Sequence, residues 1–155
     1  MEGEMLHTVY LGLGANLGDR EQTILRAYRH IERLIGPLKG RSAFFYSEPW
    51  GFQSDHGFVN SVAAVLTVCT PREVLHRTKL IERRLGKTCR HATRRHGATV
   101  YHDRPIDIDI LLYDDRRIDE PDLQIPHPLM SQRPFVMQPL KEVMALTGDH
   151  SHMMP

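Results

Sequence analysis

The sequence predicts an α+β fold in which helices pack on an antiparallel sheet, and three observations lead there. Two segments carry apolar residues at helical spacing, Ile24 to Ile35 and Val74 to Leu85. Four apolar, strand-like runs flank them, at 8–13, 42–46, 58–68 and 106–113. The second and third runs follow one another with no helix between, so they pair antiparallel or nearly so. With 155 residues, 41% apolar and 25% charged, the chain has room for one good core. A single domain is therefore expected over 1–155, with 1–7 and 148–155 as loose tails.

Each element has a local reason. Thr8 to Leu13 reads as a buried strand, after which the glycines of Gly12-Leu13-Gly14-Ala15-Asn16-Leu17-Gly18 turn the chain. Asp19 is placed as a helix N-cap, with Gln22 at the capping-box position. Ile24, Leu25, Tyr28, Ile31, Leu34 and Ile35 then form one helical face, and Gly36-Pro37 ends it. Ser42 to Tyr46 is read as a strand, Ser47 to Gly57 as a loop of turn formers and aromatics, and Phe58 to Val68 as a longer strand. Thr70-Pro71-Arg72-Glu73 supplies an N-cap, an N1 proline and an N3 glutamate for a second helix that ends at Gly86. Ile106 to Tyr113 is the last core strand, and a short helix is expected from about Phe135 to Leu146. The order β-α-β-β-α-β with a C-terminal extension is that of a ferredoxin-like α/β sandwich, with two helices on one face of the sheet.

Bulk properties narrow the function. No apolar run is long enough to span a bilayer, and the N-terminus lacks a charged segment followed by an apolar stretch and a cleavage site, so a cytoplasmic protein without a membrane partner is expected. Cys69 and Cys89 cannot build a disulfide framework; Cys69 is expected as a buried thiol and Cys89 as an exposed one. Between Arg83 and Arg104 there are seven Lys/Arg against one acid, Asp103. Such a run is usually a solvated face, but here it lacks helical periodicity and includes Gly and Thr. A basic loop that closes on polyphosphate is the alternative.

The sharpest chemical signal is Arg104-Pro105-Ile106-Asp107-Ile108-Asp109-Ile110. On a strand the three isoleucines point to one face and Asp107 and Asp109 to the other, with same-face positions about 6.5–7 Å apart. Two carboxylates at that spacing can converge on one or two cations; the plainer reading is two acids on a wet strand surface. Magnesium uses one or two protein carboxylates and fills its remaining sites with phosphate oxygens and water, which suits Asp-x-Asp. Lys87 and Arg104 bracket the basic loop, and phosphoryl-type transfer needs positioning and charge neutralisation more than a nucleophilic side chain. Phe45, Trp50, Phe52, Phe58 and Phe135 could line a planar-ligand pocket. Asn60, on a strand among apolar neighbours, needs partners for its amide. Gly12-x-Gly14-x-x-x-Gly18 evokes a dinucleotide fingerprint, but the strand order does not supply the parallel βαβ unit that motif requires. A ferredoxin-like RNA-binding module is an alternative of another class. It is disfavoured because no aromatic Lys/Arg-Gly-Phe-type run occupies a central strand, and Asp107 and Asp109 would repel a phosphate backbone.

Several pieces together resemble the 6-hydroxymethyl-7,8-dihydropterin pyrophosphokinase family of folate synthesis. They are Gly14-Ala15-Asn16-Leu17-Gly18-Asp19, Pro49-x-Gly51, Phe58-x-Asn60, Ile81-Glu82, Gly86, Arg104-x-x-Asp107-x-Asp109, Ile125-Pro126-His127-Pro128 and Arg133-x-Phe135, in order over about 8–145. The resemblance implies ATP-dependent pyrophosphoryl transfer to the pterin hydroxymethyl group, with AMP leaving. It implies that Asp107 and Asp109 hold two Mg2+ ions bound with ATP, with Arg104 and Lys87 assisting catalysis. Glu48, Pro49, Trp50, Phe58, Asn60 and Phe135 would form the pterin pocket. Lys79, Glu82, Tyr101, Arg104, Ile110, His127 and Arg133 would lie on the ATP side. The implied partners are ATP and the pterin, with no nucleic acid, for a monomeric enzyme. Lys87 stands where the family usually shows Arg after the second helix, the 87–103 loop is longer than in compact members, and Trp50 occupies a place where smaller residues are common.

Overall fold

The computed structural model describes residues 5–47, 57–86, 94–95, 98–99 and 105–148. The elements run β1 (His7–Ala15), α1 (Arg20–Leu34), β2 (Leu38–Arg41), β3 (Phe45–Ser47), β4 (Phe58–Thr67), α2 (Pro71–Arg84), β5 (Arg94–Arg95), β6 (Ala98–Thr99), β7 (Asp107–Tyr113), β8 (Ile118–Glu120), β9 (Leu123–Ile125) and α3 (Pro134–Thr147). Among the described residues this is a mixed α/β architecture with three α-helices and an antiparallel main sheet.

The main sheet has the order β2-β4-β1-β7, with β3 also on β4. All of its pairings are antiparallel. Alternation along β1 and β4 sorts residues to two faces. Val9, Leu11, Leu13 and Ala15 share one core cluster with Val59, Ala63 and Val65 and with Ile24, Tyr28, Ile31, Val74 and Ile81 of α1 and α2. Fully burying a side chain such as Ile24 of α1 or Ile81 of α2 contributes about 1.5–3 kcal/mol, which fixes both helices on this face. Tyr10, Val62 and Ala64 point the other way and meet Leu140, Val143 and Met144 of α3. The two helices expected on one face are found there, and α3 closes part of the opposite one.

The helix ends follow their sequence signals. Asp19 accepts from the Gln22 N–H at 3.2 Å. Thr70 and Glu73 form a complete capping box, with N–H donors answered at 3.1 and 2.8 Å. Of the strand expected at 42–46 only the end is extended, as the short β3, and a second short edge piece, β2, precedes it. Ser42 sits between them; its N–H donates to the Val62 carbonyl at 2.8 Å and its Oγ accepts the Val62 N–H at 3.0 Å. Gly12 and Gly14, expected in a turn, lie inside β1. A Cβ on Gly12 would touch the Leu111 side chain at 3.3 Å and one on Gly14 would meet Asn60 Oδ1 at 2.9 Å, so neighbouring side chains occupy the glycine positions. The β8–β9 hairpin was not anticipated. Cys69 is a buried free thiol, as expected, and Cys89 lies outside the described residues. No helix of the described residues is long and apolar enough to cross a membrane.

Candidate active site

β7 changes face part-way along its length, and the site follows from that. Ile106, Ile108, Ile110 and Tyr113 belong to the α1/α2 core, whereas Leu111 and Leu112 belong to the cluster under α3. The switch coincides with a register shift opposite Tyr10 and Leu11, a β-bulge that re-aims the strand. Before the bulge, Asp107 and Asp109 alternate with buried isoleucines and so face the α3 side of the sheet. Both acids are only partly buried, in contrast to Leu111 and Leu112.

The register builds a row across that face. Asp107 lies opposite Gly14 of β1, Gly14 opposite Asn60 of β4, and Asn60 opposite Phe45 of β3. Two strand spacings separate the acid from the amide, about 10 Å. Only a glycine stands between, so the floor of this stretch is backbone. Asn60 is 7% exposed and donates through Nδ2 to Ser47 Oγ at 3.1 Å. A Gly14 Cβ would lie 2.9 Å from Asn60 Oδ1 and 3.8 Å from the Phe58 ring, which places amide and ring side by side over this glycine. Ser47 was not among the residues singled out from sequence; its place as the amide's partner comes from the β3–β4 pairing.

On the outer side of β7 a cavity of about 260 Å3 opens. Leu75 and Lys79 of α2, Ile108 to Ile110 of β7, Asp122 and Gln124 of the hairpin, and His127 line it. His127 Nε2 stands 4.0 Å from Asp109 Oδ2. Its Nδ1 accepts the Leu129 N–H at 3.3 Å, which leaves Nε2 as the protonated nitrogen of the neutral ring. Burial, then the nearby Arg133, lowers the His127 pKa from its ordinary value, and Asp107 opposes that shift. The hairpin wall is tied to α2 by Arg72, which pairs with Glu120 and, at 2.8 Å, with Asp122. Asp122 and Gln124 had no distinguishing sequence signal beyond the alternation around Leu123 and Ile125.

The free edge of β7 carries two further contacts. The Ile108 N–H donates to Glu82 Oε2 at 2.7 Å, and the Leu111 carbonyl accepts the His127 N–H at 3.0 Å. Glu82 is 5% exposed. The Arg133 guanidinium lies 6.0 Å from the Phe135 ring centroid at the start of α3. Glu48, Pro49, Trp50, Lys87, Tyr101 and Arg104 lie outside the described residues.

A magnesium ion fits what these residues offer. Among the described residues no group of three or more His, Cys, Asp or Glu could hold a metal unaided. Two carboxylates on one strand face, one of them lining an open cavity, are instead the donor set of a cation that completes its shell with ligand oxygens.

The sequence pattern of one enzyme family, 7,8-dihydro-6-hydroxymethylpterin-pyrophosphokinase (HPPK), matches residues 10–145, from within β1 to within α3. The chain belongs to the HPPK family. As an HPPK it is a diphosphotransferase that moves pyrophosphate to hydroxymethyldihydropterin in folate biosynthesis. The 2-amino-4-hydroxy-6-hydroxymethyldihydropteridine pyrophosphokinase of Porphyromonas gingivalis is 46% identical over 136 residues, covering 87% of this chain and 89% of that one. The enzyme of the same name from Aquifex aeolicus is 38% identical over 136 residues, covering 88% of this chain and 79% of that one. The one from Bacillus subtilis is 31% identical over 143 residues, covering 90% and 79%. Among solved structures, a Plasmodium falciparum HPPK-DHPS crystallised with pterin and p-hydroxybenzoate matches with a TM-score of 0.63 at 15% identity. That match covers 88% of this HPPK but spans only 39% of the Plasmodium chain, and at such identity it speaks for the fold alone.

Proposed function

We propose that this HPPK transfers the β,γ-pyrophosphoryl group of ATP to the hydroxymethyl oxygen of 6-hydroxymethyl-7,8-dihydropterin at the Asp107/Asp109 end of the sheet. One observation carries the reading. The two acids share a sheet face with Asn60, Asp107 in the same glycine-floored row, and a cavity large enough for part of a nucleotide begins at Asp109. About 10 Å between amide and acid suits a fused two-ring heterocycle with a one-carbon arm.

In this reading Asn60 hydrogen-bonds the polar edge of the pterin while Ser47 holds the amide. Phe58 and Phe135 flank the ring, with Glu48, Pro49 and Trp50 completing the pocket. The hydroxymethyl oxygen then points toward Asp107 and Asp109. Lys79, Ile110, His127 and Arg133 lie on the ATP side with Tyr101, and the neutral His127 offers its Nε2–H as a donor. Asp107 and Asp109 would hold two Mg2+ ions, which when bound supply charge neutralisation across the polyphosphate. Lys87 and Arg104 add positive charge as the β-phosphorus is attacked, the bond from that phosphorus to the bridging oxygen breaks, and AMP departs. Positioning and charge supply the catalysis, and no side-chain nucleophile is required.

The strand order, with every neighbour antiparallel, supports naming the fold a ferredoxin-like sandwich with a C-terminal extension. The reading extends to a single-domain cytoplasmic monomer, supported by one chain supplying residues to both sides of the site. Incubation with ATP, Mg2+ and the hydroxymethyl pterin tests it. The expected products are AMP and the pterin diphosphate, and formation of ADP would sink the reading.

A further inference from the structure

We infer that Glu82 is a positioning residue which sets the direction of Asp107 and Asp109 through the backbone between them; this rests on the metal reading given above. Glu82 lies on the inward stripe of α2 with Leu75 and Thr78, and is 5% exposed. A buried carboxylate is costly unless strong donors answer it. One donor is the Ile108 N–H, 2.7 Å from Glu82 Oε2. That N–H belongs to the only residue separating the two acids.

The arrangement solves a conflict between the sheet and the cavity. Among the described strands β7 lies at the edge of the sheet, so its outward N–H and C=O groups need partners. A further strand would provide them, but it would fill the space lined by Ile108, Asp109 and Ile110. A single carboxylate arriving from α2 satisfies the amide and leaves the cavity open. Three residues further on, the His127 N–H does the same for the Leu111 carbonyl. The strand is thereby fastened at two points along its outer edge, one on each side of Asp109. Asp107 and Asp109 repel one another without a cation, and a fixed amide plane at Ile108 resists the twist that would splay them. Glu82 thus acts through the strand, in place of the nucleotide contact that the family resemblance implies for it.

Two variants separate these roles. Glu82→Gln keeps a carbonyl acceptor at the same reach, and Glu82→Met keeps the volume without one. Binding of the non-reacting analogue α,β-methylene-ATP is followed by calorimetry as a function of Mg2+, with Asp109→Asn alongside. Backbone amide exchange at Ile108 is followed by NMR. Glu82→Met should raise the half-saturating Mg2+ about tenfold, the usual loss when a supporting partner of a metal ligand is removed. Its metal-free nucleotide affinity should stay within about twofold, and its Ile108 amide should exchange faster. Glu82→Gln should restore most of the Mg2+ response. Metal-free affinity falling in both variants would show direct nucleotide contact and overturn the inference. An unchanged Mg2+ response in Glu82→Met beside a lost one in Asp109→Asn would overturn it alone. An unchanged response in Asp109→Asn would remove the metal reading and this inference together.

Discussion

Replacing Gly14 with alanine tests the glycine-floored row directly, because the structure says where the new methyl group goes. Gly14 lies within β1 and is not among the positive-φ glycines, so alanine fits the backbone without strain. The added Cβ would stand 2.9 Å from Asn60 Oδ1. Ordinary contact needs about 3.5 Å, so the amide has to move by roughly half an ångström. Its anchor, the 3.1 Å bond from Nδ2 to Ser47 Oγ, stretches or breaks in response. A net loss of about 0.5–1.5 kcal/mol for that bond is offset by about 0.4–1 kcal/mol from the stiffer unfolded chain. Stability should therefore change little. The amide's alignment with the pterin edge is another matter: one misaligned hydrogen bond of about 1–2 kcal/mol lowers kcat/KM for the pterin roughly 5- to 30-fold. Steady-state kinetics with each substrate varied, together with a thermal melt, read both effects. Pterin kinetics within about twofold of the parent would refute the placement of Asn60 at the pterin edge. Equal losses for ATP and pterin would show a general collapse of the face instead.

Three further expectations follow from other parts of the molecule. The Asp109 side chain is 39% exposed, so Asp109→Ala should melt within a few degrees of the parent while turnover falls by about a thousandfold or more; a tenth of the parent rate remaining would contradict the metal assignment. A Cβ on Gly36 would lie 1.8 Å from the Leu66 carbonyl oxygen, a backbone atom that cannot step aside. Gly36→Ala should cost about 3 kcal/mol, or roughly 6–12 °C in Tm, and a shift under about 2 °C would exclude the clash. Burial first, then Arg84, Arg33, Arg26 and Arg29, lowers the His30 pKa from its ordinary 6.5. The folded protein then holds this proton more weakly than the unfolded chain, so the contribution of His30 reduces stability as pH falls below about 6.5 and vanishes above it. NMR titration should give a midpoint below the ordinary value that rises in Arg33→Gln, and a midpoint at or above 6.5 would refute this.

The parts of the fold legible in sequence are those whose signal is local. α1 and α2 announce themselves by apolar spacing and caps, and β7 by its alternation of Asp and Ile. β2 carries no strand signal of its own because Leu38-Lys39-Gly40-Arg41 has one apolar residue, and its strand character comes from pairing with β4. Gly12 and Gly14 were expected in a turn because glycine weakens strands, yet here a leucine and an asparagine from adjacent strands need the space. α3 was expected as a helix, but its role in covering one end of the second sheet face depends on which residues of β1, β4 and β7 point there. At the site, Asp107, Asp109 and Asn60 stood out as polar groups among apolar neighbours. Ser47, Asp122 and Gln124 did not, because their relevance arises from a strand pairing and a hairpin that only the folded chain brings alongside.

The position of β1 has a consequence for how the protein is made. It precedes the other described strands in the chain, yet it lies between β4 and β7, with Val9 opposite Tyr113. During translation its apolar residues therefore wait for one partner until Thr67 has emerged and for the other until Tyr113 has. Tyr10 waits longer still, for α3. Pairings so distant along the chain close slowly and leave sticky intermediates. Ribosome-bound chains that stop short of α3 should accordingly engage chaperones or aggregate. The Asp107/Asp109 end of the sheet can form only once β7 is available.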